Sequence, residues 1–365
     1  MFKLLDYASE QLVTALEDII TNIEIHSNFC IFHPDYQPFV LPTETAVRFQ
    51  KLPEQLQQKY LNLLLVNFIY GIYYNGSLRS RLAKNSNSAD LTPQHNLQNQ
   101  TSLGAERAFY ERLHACNYGT GYFDPGWQVI QQESDDSLVV SKSGLILHIE
   151  RQRHLQPLEQ SATVGDVVNI RMPKNLMQNG FYVAVGNIRQ KWQSRSDIDS
   201  AIVRIYFNLQ PEGAIALMGN LTEQLNQDGI PFTFKVLYHP STYLRYDSGV
   251  LYFERSYYQK IRQVVQNLFV VNQPYFHRNI PLFSKFLAPG IGLAEEPDRK
   301  FTAQESFGIN RCRIIADGLL DAWRKGQNTP EEKMQSIDQS FSQMGIKWYL
   351  PYLNANSEDI YISLY

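Results

Sequence analysis

Cysteine is scarce in this chain. Of 365 residues only Cys30, Cys116 and Cys312 are cysteines, an odd and widely spaced set. They cannot form a disulfide framework, and no CxxC pair offers zinc ligands. The setting this predicts is reduced and cytoplasmic. Charge is scarce too, at 19% of residues against ~25% in average domains. With 33 basic and 36 acidic side chains the formal net charge is −3. A global positive field for nucleic acid is therefore excluded. No long hydrophobic run is present. The longest, around Leu63–Ile72, is broken by Asn67 and Tyr70 and is too short to span a bilayer. The start, Met1-Phe-Lys-Leu-Leu-Asp6, lacks the basic region and apolar run of a signal peptide. No membrane partner is expected.

The motifs of several large enzyme classes are missing as well. There is no GxGxxG after a strand, no GxxxxGK[ST], no HExxH, no GxSxG and no EF-hand spacing. The eight histidines are scattered. The reading is of a protein with no metal site and no cofactor. A phosphatase would need a nucleophilic cysteine or a metal, so that class ranks last.

What is present is 44% apolar residues, enough for a sizeable core, and 22 tyrosines. Leu4, Leu5, Ala8, Leu12, Leu16, Ile19, Ile20 and Ile23 form a stripe at helical spacing. A second helix is predicted over Pro53–Tyr73 and a third over Gly104–Cys116. Between them Ala83–Thr101 is polar and low in aliphatics, the composition of a flexible loop. From Tyr122 the pattern changes to short β-branched and aromatic runs, at 127–132, 138–141, 145–150, 166–171, 181–186, 202–209, 232–238 and 250–254. Helices are predicted over 211–228 and 256–270. A further helix ends near Lys325, with Thr302-Ala-Gln-Glu305 as its capping box. The fold class expected is α+β: a helical N-terminal domain over 1–121, then a largely antiparallel mixed sheet flanked by helices over 122–365.

Strand alternation sorts the side chains. Val203, Ile205 and Phe207 point one way, while Arg204, Tyr206 and Asn208 point the other. Lys235 likewise lies opposite Phe234 and Val236. Arg171, Arg204, Lys235 and Arg245 give the polar faces a cationic bias. An antiparallel sheet with one solvated side shows the same alternation without any function. A concave cationic face, however, suits a phosphate or carboxylate ligand.

Several blocks then combine. They are Val203-Arg-Ile-Tyr-Phe-Asn-Leu209 with Pro211-Glu-Gly-Ala214, Ile230-Pro-Phe-Thr-Phe-Lys-Val236, and Tyr243, Arg245 and Asp247 with Val250-Leu-Tyr-Phe253. Pro281-Leu-Phe-Ser-Lys285, Pro289-Gly290, Gly292-Leu-Ala-Glu295, Pro297 and Ser306-Phe-Gly308 with Arg311 follow. As an ordered series over about Asp124–Trp323 they resemble the HopA-type bacterial type III effector family. That family is distinct from the similarly named phosphothreonine lyase effector. Its members occur as plant-pathogen effectors and beside small kinases in class V lanthipeptide and thioamitide pathways. In the pathway setting the resemblance implies a phosphoserine/phosphothreonine lyase. Phosphate is eliminated from a phosphorylated precursor peptide to leave dehydroalanine or dehydrobutyrine, and a Ser/Thr kinase is the expected partner. The compact length resembles the pathway protein more than the effector.

The elimination needs a base for the Cα proton, donors for the enolate and positive charge for the departing phosphate. Lys235 is the expected base. Arg171 and Arg204, then Arg245 and Arg311, are the expected phosphate ligands. Tyr206, Asn208, Tyr182 and Tyr243 are candidate donors. His239 is a candidate acid, although four residues of strand put it ~13 Å from Lys235. The competing expectation is a non-catalytic protein that binds a peptide, a kinase or a host partner.

Overall fold

The apolar stripe from Leu12 onward becomes helix α1 (Glu10–Asn22), with Leu12, Leu16, Ile19 and Ile20 on its buried side, while Leu4, Leu5 and Ala8 lie outside the described residues. Ser9 caps it by accepting the Leu12 N–H at 3.3 Å. The computed structural model describes residues 9–26, 29–40, 43–84, 106–178, 180–188 and 201–365. Most of the polar stretch 83–101 lies outside the described residues. Short strands β1 (Glu24–His26), β2 (Cys30–Phe32) and β3 (Phe39–Val40) make a small antiparallel sheet. Helices α2 (Thr43–Gln50) and α3 (Glu54–Ile69) follow. A π-helical turn, Tyr70–Tyr74, extends α3, and the Asn75 N–H reaches the Tyr70 carbonyl at 3.0 Å. Helices α4 (Arg79–Leu82) and α5 (Arg107–Cys116) complete this helical part.

The change of pattern at Tyr122 marks the start of a four-stranded sheet. It comprises β4 (Tyr122–Gln132), β5 (Leu138–Lys142), β6 (Leu145–Ile149) and β7 (Val167–Met172), in the order β6-β5-β4-β7, with α6 (Arg151–His154) between β6 and β7. Trp127, Val129, Leu138, Val140, Val168 and Ile170 belong to a buried cluster of its own. The larger sheet has seven strands: β8 (Asn175–Gln178), β9 (Phe181–Val185), β10 (Ile202–Phe207), β11 (Thr233–Leu237), β12 (Gly249–Glu254), β13 (Lys285–Ala288) and β14 (Ile291–Glu295). Their order is β13-β14-β10-β12-β11-β9-β8, and each pairing is antiparallel. Helices α7 (Pro211–Gln227), α8 (Tyr258–Asn272), α9 (Phe307–Arg324) and α10 (Pro330–Gln343) flank it. The fold is α+β.

Two details differ from the sequence reading. Thr302–Glu305 does not cap α9, which starts at Phe307 with Ser306 as its cap. The reciprocal capping box stands instead at Thr329 and Glu332, ahead of α10. The polar side of the central strands is also not solvated. On β10 every residue from Val203 to Phe207 is buried. Val203, Ile205, Phe207, Phe234 and Leu251 share one buried cluster with α7 and α8 side chains such as Met218 and Ile261. The opposite face meets the π-helical turn and α9. There Tyr206 lies 6.4 Å from Tyr74 and 6.2 Å from Phe307, ring centroid to centroid. Among the described residues no helix is long and apolar enough to cross a membrane.

Candidate functional site

Register places Arg204 opposite Tyr252, Tyr252 opposite Thr233, and Lys235 opposite both Val250 and Val183. Period-two alternation therefore brings Arg204, Tyr206, Tyr252, Lys235 and Phe181 to one face. On that face cations and rings alternate. The Arg204 guanidinium carbon is 4.9 Å from the Tyr252 ring centroid, and the Lys235 Nζ is 5.2 Å from the same ring. Lys235 Nζ also stands 4.7 Å from the Phe181 ring, and Arg245 reaches that ring from beyond at 5.7 Å. Arg245 arrives on the segment joining β11 to β12. Three of the four predicted cations thus converge.

Their partners differ. Arg204 is almost buried and ion-paired with Glu296, which also accepts from Lys300 at 2.5 Å. Arg245 is held by Asp247 through two bonds, Nε to Oδ1 at 2.5 Å and Nη2 to Oδ2 at 2.7 Å. Lys235 is half-buried, and among the described residues its ammonium has no hydrogen-bond or ion-pair partner. The two outer cations are each paired with a carboxylate, while the Nζ of the central lysine has no such partner among the described residues. An anion is what such a face can hold.

Behind the row stands a layer of tyrosines. Tyr206 is 2% exposed, so it backs Arg204 and does not line an open surface. Burial pushes its pKa up, which keeps the hydroxyl protonated. Tyr74 and Tyr70 come from the π-helical turn and stack at 4.9 Å. Gly308 lets the Tyr74 ring approach α9, because a Cβ there would fall 2.8 Å from Tyr74 Cδ1 and closer still to Cε1 and Cζ. Among the described residues no three His, Cys, Asp or Glu side chains group so as to hold a metal ion.

The remaining predicted residues are elsewhere. Arg171 lies on β7 of the smaller sheet, exposed, donating to the Thr120 carbonyl at 3.0 and 2.6 Å. Arg311 is fully buried in α9 and donates to the carbonyls of Pro351 (2.7 Å) and Leu353 (3.1 Å) and to Asn310 Oδ1 (2.5 Å). Burial pulls its pKa down to about 10. Its role is to hold the 351–353 segment. Asn208 is buried and its amide donates to the Asn279 carbonyl at 2.8 Å, which ties two loops. Tyr243 donates to the Leu237 carbonyl at 2.6 Å. Tyr182 points to the other face, where Asn117 donates to its hydroxyl at 3.0 Å and burial pushes its pKa up to about 12. His239 sits two residues past β11 and caps a short turn, with Nδ1 2.8 Å from the Ser241 hydroxyl. None of these six contacts the row through a described interaction.

Sequence reasoning missed Tyr252, Phe181, Asp247, Glu296, Tyr70 and Tyr74. Tyr252 was within reach, since alternation along β12 sets it apart from Leu251 and Phe253. The others needed the strand order and the docking of the π-helical turn.

Residues 172–353 match the HopA1 effector protein family. The chain belongs to that family. The HopA1 match spans the large sheet from β8 to β14 and helices α7 to α10, and so includes Arg204, Lys235, Arg245 and Tyr252. Tyr70 and Tyr74 lie outside it. Two solved structures are similar to the chain. The effector protein from Pseudomonas syringae pv. tomato strain DC3000 is 18% identical with a TM-score of 0.40. That from Pseudomonas syringae pv. syringae strain 61 is 16% identical with a TM-score of 0.41. Each comparison covers 68% of this chain and 81% of the other. No curated protein matches.

Proposed function

We propose that the protein is a phosphoserine/phosphothreonine lyase acting on a phosphorylated peptide. The observation that supports this is the row itself: a lysine Nζ with no carboxylate partner among the described residues, set between two rings and flanked by two guanidinium groups. The phosphate lies over Phe181 against Arg245, with the Cα–H of the phosphorylated residue turned to Lys235. Arg245 uses Nε and Nη2 for Asp247, which leaves Nη1 for a phosphate oxygen. Lys235 acts as the base and not as a phosphate ligand: the lone pair of its Nζ, in the amine form, takes the Cα proton. The electrons of that C–H bond form the Cα=Cβ double bond as the Cβ–O bond breaks. Phosphate departs with the oxygen and both bonding electrons, neutralised by Arg245. Arg204, buried against Glu296, contributes field from beyond Tyr252 without touching the substrate. A Ser/Thr kinase is the class of enzyme that supplies such a substrate.

The test is incubation of the purified protein with a phosphothreonine peptide, following free phosphate and the dehydrated peptide by mass. Lys235→Ala should lower turnover at least ~100-fold, the scale of a lost general base. Arg171→Ala should leave it unchanged, since that side chain serves the other sheet. Absence of phosphate release from every phosphorylated peptide offered would sink the reading. Tight phosphopeptide binding without release would favour a non-catalytic binding protein.

A further inference from the structure

The segment carrying Arg245 is fastened to the helical N-terminal part, outside the family match, at three points. The Tyr246 N–H donates to the Asn75 carbonyl at 2.9 Å. Arg79 Nη1 reaches the Tyr246 hydroxyl at 3.4 Å. The Tyr70 hydroxyl lies 3.4 Å from Asp247 Oδ2, to which it donates, and 3.4 Å from Arg245 Nη2, from which it accepts. Gly76, at φ +73°, adds a close approach, because a Cβ there would meet the Tyr246 ring. Tyr70 is therefore the one side chain that touches both members of the Arg245–Asp247 pair from outside their own loop, among the described interactions.

We infer that Tyr70 is a positioning residue of the anion site, and that the helical N-terminal part completes a site the family-matched segment does not complete alone. The inference rests on the anion-binding half of the lyase reading. Its logic is geometric. Asp247 takes two of the Arg245 nitrogens, and among the described residues the third, Nη1, donates to nothing. Tyr70 closes the pair from the far side and fixes the plane of the guanidinium, so that Nη1 stays turned to the ligand. The π-helical turn fixes Tyr70 in its own right. Its ring stacks on Tyr74, and Tyr74 is wedged against α9. Burial, and then the Asp247 charge, push the Tyr70 pKa up, so the hydroxyl stays protonated and remains a donor to Asp247.

The experiment compares Tyr70→Phe with the full wild-type chain. Calorimetry with inorganic phosphate alone and with a phosphothreonine peptide gives affinity, and steady-state elimination gives KM and kcat. Losing one hydrogen-bonding hydroxyl should weaken phosphate binding about 5- to 10-fold. KM should rise by a similar factor with kcat within about twofold, because Lys235 is untouched. The retained ring keeps the stack on Tyr74, so Tm should stay within about 2 °C. A Tyr70→Phe protein that binds phosphate as wild type does overturns the inference and leaves the lyase reading standing. A parallel loss of kcat and Tm also overturns it, since that marks a merely structural residue. Wild-type protein that binds no phosphate overturns both. Binding without elimination refutes the lyase while the Tyr70 comparison still stands.

Discussion

Replacing Gly308 with alanine sets two effects of opposite sign against each other. Gly308 is the second residue of α9. In an open helix the change to alanine would stabilise by up to ~1 kcal/mol. Here the added methyl would lie 2.8 Å from Tyr74 Cδ1 and nearer to Cε1 and Cζ. The ring has little room to retreat. Tyr74 is 2% exposed, stacked on Tyr70 at 4.9 Å, and bounded by Tyr206 and Phe283 at 6.4 Å each. Overpacking of this kind costs ~1–3 kcal/mol. The clash should win, giving a net loss of about 1–2 kcal/mol and a fall in Tm of roughly 1–3 °C. Thermal unfolding by circular dichroism reads the sign directly. In a Tyr74→Leu background the clashing ring atoms are gone, and the same substitution should become neutral or stabilising. That change of sign is the coupling the contact requires. Gly308→Ala raising Tm in the wild-type background, or lowering it equally in both, would refute the reasoning.

Two further outcomes follow from groups away from the row. Arg311→Met leaves two buried backbone carbonyls and the Asn310 amide oxygen without their donor. It should cost ~3 kcal/mol or more, read as a lower urea midpoint, with phosphate affinity of the folded protein unchanged. Burial, and secondly the charge of Lys174, hold the His114 imidazole below its ordinary value. As pH falls through about 6.5 the unfolded chain takes up a proton that the folded one resists, so stability is lost on the acid side. His114→Asn should reduce the Tm difference between about pH 7.5 and about pH 5.5. An undiminished difference in the variant would exclude His114 as its source.

The sequence carried local information faithfully. Turn residues and period-two runs located β5, β10, β11 and β12, and alternation put Arg204 and Tyr206 on one side of β10. It could not say what covers that side. Two chemically different faces read the same way whether the polar one meets water or a second layer of helices, and here the π-helical turn and α9 cover it. Arg311 shows the same limit from the other direction. An arginine among Cys312, Ile314 and Ile315 reads as an amphipathic contact, yet its guanidinium is buried to satisfy carbonyls forty residues downstream. The four-residue strands β8 and β13 carry too few residues for a pattern to emerge, and β14 is buried at every position and so does not alternate. Arg171 was misplaced because nothing local distinguishes a strand of one sheet from a strand of the next.

The four-stranded sheet encloses its own buried side chains and ends at Met172, where the family match begins. A unit with a self-contained interior can be gained, lost or exchanged between lineages without repacking the strands that carry Lys235 and Arg204.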